Sequence, residues 1–186
     1  MRKLAVFFPG IGYTVDKPLM YYSRKIAAEL SYEIKLLPYG GFPPKIHGDL
    51  DKMRESFKIA MQQTEEMLSG TDLNAYGDIL FIGKSIGTVV AAKIALLSGM
   101  EDKIRFIFYT PLEDTFFYHS KTAVVFTGSN DPWTGAGQSP IPACAKENGY
   151  PCFLIEDANH SLETGNAMKD IQNLQMIMEE TRRFIG

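Results

Sequence analysis

Six apolar runs alternate with helical patterns along this chain, and no other feature restricts its fold as much. The runs are LAVFFPG (4–10), YEIKLLPYG (32–40), DILFIGKS (78–85), IRFIFYTPL (104–112), AVVFTGSND (123–131) and CFLIED (152–157). Most are nearly continuous in aliphatic, aromatic and β-branched residues, as strands covered on both faces of a parallel sheet are. Residues 17–30, 48–69, 86–98 and 163–185 carry apolar positions at helical spacing, and 138–148 do so more weakly. Such alternation predicts a doubly wound α/β fold, with a mainly parallel six-stranded sheet and helices on both faces. With 186 residues and no repeat or linker, residues 1–186 read as a single domain.

Composition removes several classes of function. The net charge is −3 and no basic run occurs, so nothing recommends nucleic acid or an anionic membrane as partner. Cys144 and Cys152 are too few for a disulfide scaffold or a zinc site, and read as reduced thiols. The apolar run Leu4–Phe8 is too short for a signal sequence, and no stretch approaches a membrane span. A cytoplasmic protein is expected. The oligomeric state is left open.

The third run ends in Gly-Lys-Ser, which raises the question of a phosphate-binding loop. That loop requires a glycine five residues before Gly83, where Asp78 stands. The intervening Ile79, Leu80, Phe81 and Ile82 read as buried strand rather than a cradle of bare amides. A dinucleotide fingerprint at Gly10-Ile11-Gly12 fails in the same way, because Val15 occupies the third glycine position.

The alternative is G-x-S-x-G between a strand and a helix, and Gly83-Lys84-Ser85-Ile86-Gly87 matches each fixed position. A nucleophile in that setting sits in a sharp, strained turn. Strand and helix cross so closely that only glycine fits on either side. Amides at the start of the helix face the reaction centre and favour a developing oxyanion. Ser85 is therefore the candidate nucleophile. It needs a base and an orienting acid.

Of three histidines, His119 precedes a strand and falls at the wrong edge of the sheet. His160 follows the sixth strand and is the candidate base, with His47 in reserve. Asp131 ends the fifth strand and is the candidate acid, with Asp114 in reserve; Asp157 more plausibly shapes the His160 loop. The loop Pro9–Thr14 offers the second oxyanion donor, which pairs the amide of Ile11, or of Gly12, with that of Ile86. Gly12, Tyr13, Tyr39, Phe42 and Trp133 are the candidate pocket, with Phe116 and Phe117 near the same edge. Lys84 reads as solvent-facing or as loop packing.

The segments FFPGIGYT, FIGKSIGT, FTGSNDPW and DANHSLE together resemble the α/β-hydrolase superfamily, in particular small members of its dienelactone-hydrolase-like branch. The resemblance implies a minimal fold in strand order 2-1-3-4-5-6, beginning at the third strand of the full fold, with no cap domain in the short PLEDTFFYHSKT connection. It also implies a serine hydrolase of a small carboxylic ester or thioester, acting through Ser85, Asp131 and His160 without metal or organic cofactor. Acyl transfer by the same residues, or ligand binding without turnover, remain alternatives. Two departures are visible: Pro9-Gly10 stands where relatives have His-Gly, and the branch's namesake uses cysteine where this chain has Ser85.

Overall fold

The apolar runs become six strands: β1 (Lys3–Phe8), β2 (Glu33–Leu36), β3 (Asp78–Lys84), β4 (Ile104–Tyr109), β5 (Thr122–Gly128) and β6 (Cys152–Ile155). They form one sheet in the order β2-β1-β3-β4-β5-β6, and every pairing is parallel. The structure, a computed structural model, describes residues 1–134 and 139–186. The sequence marks the Gly- and Pro-rich stretch GSNDPWTGAGQSPIP (128–142) as a loop; part of it, with the first residue of the expected 138–148 helix, falls outside that range.

Among the described residues, five helices cover the sheet: α1 (Pro18–Glu29), α2 (Leu50–Leu68), α3 (Ile86–Leu97), α4 (Ile141–Glu147) and α5 (Ala167–Ile185). Their starts follow from local chemistry. Pro18 enters α1 at its first turn, where a missing N–H costs nothing. Asp49 caps α2 by accepting from the Lys52 N–H, and Asn166 caps α5 by accepting from Met168 and Lys169. No α-helix lies between β4 and β5; a 3₁₀ turn, Glu113–Phe117, fills that short connection instead.

The period of two along each strand sorts the core into two layers. Leu4, Val6, Ile79, Phe81, Phe106 and Phe108 face α2, α3 and α4. Ala5, Phe7, Leu80, Ile82, Ile107 and Tyr109 face α1 and α5. The edge strands β2 and β6 are only partly covered, which is why their sequences are less uniformly apolar. No described helix is long and apolar enough to cross a membrane.

Candidate active site

The parallel sheet delivers the carboxyl ends of β3, β4 and β5 and the loop after β6 to a single edge. At the end of β3 the chain turns through Ser85, whose φ of 54° and ψ of −126° are strained for a residue with a side chain. The turn is tight on both sides. A Cβ on Gly83 would strike the Thr88 backbone, and one on Gly87 would fall on the Phe8 carbonyl oxygen. The Ser85 carbonyl accepts from Thr88 N–H at 2.9 Å and from Thr88 Oγ1 at 2.6 Å. These bonds hold the strained residue in place.

The structure brings Ser85, His160 and Asp131 together. His160 Nε2 lies 2.8 Å from Ser85 Oγ, and His160 Nδ1 lies 2.7 Å from Asp131 Oδ2. The other carboxylate oxygen of Asp131 accepts the Trp133 N–H at 2.9 Å. The His160 loop is fixed at several points. Asn159 Oδ1 accepts from the Ser161 and Glu163 amides. Thr110, at the end of β4, donates its hydroxyl to the His160 carbonyl at 3.1 Å. Gly128, which ends β5, meets Ala158 so closely that a Cβ there would overlap the Ala158 carbonyl.

Burial lowers the pKa of His160, and the nearby charges of Lys84 and His47 lower it further. The hydrogen bond to Asp131 opposes them without reversing the shift. The imidazole is therefore held neutral, as a base, to lower pH than a free histidine.

Of the residues expected around the nucleophile, Ile11, Gly12, Tyr13, Ile86 and Trp133 line the cleft with Ser85 and His160. Among the described residues, the main-chain N–H groups of Ile11 and Ile86 donate to no other protein group. Trp133 stacks near His160, with ring centres 5.4 Å apart, and His47 meets the Trp133 ring edge-on at 4.7 Å. The reserve histidine thus belongs to the rim of the cleft and contacts Trp133 rather than Ser85.

Tyr39 and Phe42 do not line the cleft, in contrast to the expectation. The Tyr39 hydroxyl bonds Thr64 of α2 at 2.6 Å, and the two rings pack on each other against the core. Gly40, between them, is tied to Gln63 of α2 through both its N–H and its carbonyl. Phe116 is likewise engaged, stacked on Tyr150. Asp114, the reserve acid, lies in a separate groove beside α2 and α3.

Lys84 departs most from its expected place. It is 1% exposed, and its ammonium sits 4.9 Å from the centre of the Tyr13 ring. Burial lowers its pKa to about 7, while the charge of Asp131 pulls the other way. The signal was present in the sequence. Position 84 continues the inward series of Leu80 and Ile82 on β3, so a period of two sends its side chain under Tyr13. Thr88, Thr110 and Met53, which also lines the cleft, carry no motif that marks them in the sequence. Among the described residues, no three His, Cys, Asp or Glu side chains stand together as a metal site.

By sequence the chain matches no family profile and no curated protein. Solved structures do resemble it. An α/β serine hydrolase without a lid from Xanthomonas campestris superposes with a TM-score of 0.60 at 15% identity, covering 97% of this chain and 81% of that one. Est1E from Butyrivibrio proteoclasticus gives a TM-score of 0.65 at 13% identity, with coverage of 98% and 86%. An α/β serine hydrolase homologue from Coxiella burnetii gives 0.56 at 16% identity, with coverage of 96% and 84%. At these identities the likeness is one of architecture. The chain has the α/β-hydrolase fold in its lid-less, six-stranded form.

Proposed function

We propose that the protein is a serine hydrolase that cleaves a small carboxylic ester or thioester through an acyl-enzyme on Ser85. The observation that carries this reading is the continuous relay from Ser85 Oγ to His160 Nε2, and from His160 Nδ1 to Asp131 Oδ2, at 2.8 Å and 2.7 Å. Distances in this range suit proton transfer without rearrangement.

His160 Nε2 takes the hydroxyl proton as Ser85 Oγ attacks the carbonyl carbon. The oxygen of the tetrahedral intermediate accepts from the Ile11 and Ile86 amides, whose freedom from other partners supports that role. The helix α3 begins at Ile86, so its dipole adds to the stabilisation. Asp131 fixes the imidazole tautomer and balances the imidazolium. His160 then returns the proton to the departing alkoxide or thiolate. Water deacylates Ser85 by the same route, with His160 again as the base.

Labelling with a fluorophosphonate probe tests the reading. One labelled residue, Ser85, and steady release of nitrophenol from p-nitrophenyl acetate are expected. Absence of labelling, with no turnover, favours a ligand-binding module and overturns the proposal. Turnover only when an alcohol or thiol acceptor is supplied would instead identify acyl transfer.

A further inference from the structure

A second groove borders the cleft at Ser85: Met53 and Ile86 line both, and the groove holds about 600 Å³ against about 230 Å³ for the cleft. The larger volume falls in the range of small-molecule sites. This groove runs between the first turns of α2, the outer face of α3 and the 3₁₀ turn after β4. Its apolar walls are Met53, Phe57, Ile86, Val89 and Leu112, of which Met53 and Ile86 also line the Ser85 cleft.

Its lining also carries three cations, Arg54, Lys58 and Lys93, and one acid, Asp114. Arg54 is paired with Asp51 at 3.2 Å, outside the groove. Lys93 lies over the Phe57 and Tyr118 rings at 5.4 Å and 5.7 Å from their centres. Among the described residues, neither Lys58 nor Lys93 has a carboxylate within salt-bridge distance. Two lysines without an ion-pair partner along an apolar trough stand out on a chain whose net charge is −3.

The trough is on the acyl side. A leaving group must face His160 to receive its proton, and no residue of the His160 loop lines the trough. The substituent that points away from His160, past Ile86, is the acyl chain. From Met53 to Lys58 the α2 axis advances by about 8 Å, at roughly 1.5 Å per residue.

Resting on the serine-hydrolase reading, we infer that the preferred acyl group is a medium-length apolar chain ending in a carboxylate, that is, the half-ester or half-thioester of a dicarboxylic acid. The chain lies along Met53, Phe57 and Val89, and its carboxylate meets Lys58 and Lys93.

The test compares mono-p-nitrophenyl suberate with p-nitrophenyl octanoate, which share a chain length and differ in the terminal carboxylate. At low salt, kcat/KM is expected to favour the half-ester by about tenfold, the effect of two partly exposed ion pairs. The double substitution Lys58→Gln, Lys93→Gln should remove that preference, mainly through KM, and added salt should weaken it. Equal rates on the two esters, or a preference that survives the double substitution, overturn the assignment of the groove. Fluorophosphonate labelling in parallel separates the two layers of the argument. A labelled Ser85 without acid preference defeats only the groove; an unlabelled Ser85 defeats the hydrolase reading as well.

Discussion

The two rims of the sheet handle polar groups in opposite ways. At the amino-terminal rim, Arg105 of β4 donates to both oxygens of Asp78, at 2.9 Å and 3.1 Å, and to the Tyr32 hydroxyl at 2.6 Å. It also donates to the Phe184 and Ile185 carbonyls at the end of α5. The last helix is thereby clipped to the sheet by a satisfied network. At the carboxyl-terminal rim, Ser85 and Thr110 hold positive φ angles of 54° and 40°, and Lys84 is buried without a carboxylate in ion-pair range among the described residues. Polar groups at the first rim serve cohesion. Those at the second stand in strained or poorly solvated settings, which is where reactive groups are found.

The largest expected effect sharpens this contrast. Ser85→Ala should cut turnover of p-nitrophenyl acetate by about 10⁴-fold or more, as loss of a nucleophile does. Its Tm should stay within a few degrees, since alanine keeps the backbone strain and loses only one exchangeable contact. Arg105→Met should do the reverse. Removing one partner of a partly buried network leaves Asp78 uncompensated and costs about 3 kcal/mol, a fall in Tm of roughly 6–12 °C for a chain of this size. Residual kcat/KM measured well below that Tm should match the parent. A large loss of turnover in Arg105→Met would break the division between the rims.

Lys84→Met should raise Tm, and the size of the gain should depend on pH. The unfolded lysine titrates near 10.5 and the folded one near 7. Above pH 10.5 both are neutral and burial carries no ionic penalty. As pH falls the unfolded chain binds the proton first, so folding loses stability until about pH 7, below which the penalty is complete. Thermal melts from pH 6 to pH 10 should therefore show a gain at the acid end that shrinks toward the alkaline end. The smallest effect is the acid limb of kcat/KM. Burial, Lys84 and His47 all lower the pKa of His160, so activity should persist below pH 6.5 before protonation of the base ends it. In Lys84→Met that midpoint should move upward, because one source of the lowering is gone. A midpoint above 6.5 in the parent would contradict the electrostatics of the site.

Much of this was readable from the chain. Buried parallel strands have long apolar runs, so strand number and the position of each strand's end followed from local pattern, whereas the strand order came with the family resemblance. The elbow was legible because its demands are local: Gly83 and Gly87 are needed within two residues of Ser85. His160 and Asp131 followed from topology, since each comes just after a strand. The pocket was less legible. Tyr39 and Phe42 sit on a loop whose direction depends on the partner of one hydroxyl, Thr64, a long-range contact with no sequence signature. Thr110 holds the His160 backbone across 50 positions of chain, and a lone threonine after a strand gives no hint of it. Lys84 is different in kind. The period of two along β3 pointed inward, but the chemistry of lysine pointed outward, and here periodicity prevailed.

Gly87 abuts the end of β1 at Phe8 and Pro9, and Gly10 in turn abuts Lys84 and Ser85. The two turns are meshed like gear teeth. Neither the attacking hydroxyl nor the Ile11 amide can drift without dragging the other. In the proposed mechanism the angle of attack and the cradle for the resulting oxygen are thus set together by the packing of β1 against β3, before any substrate arrives.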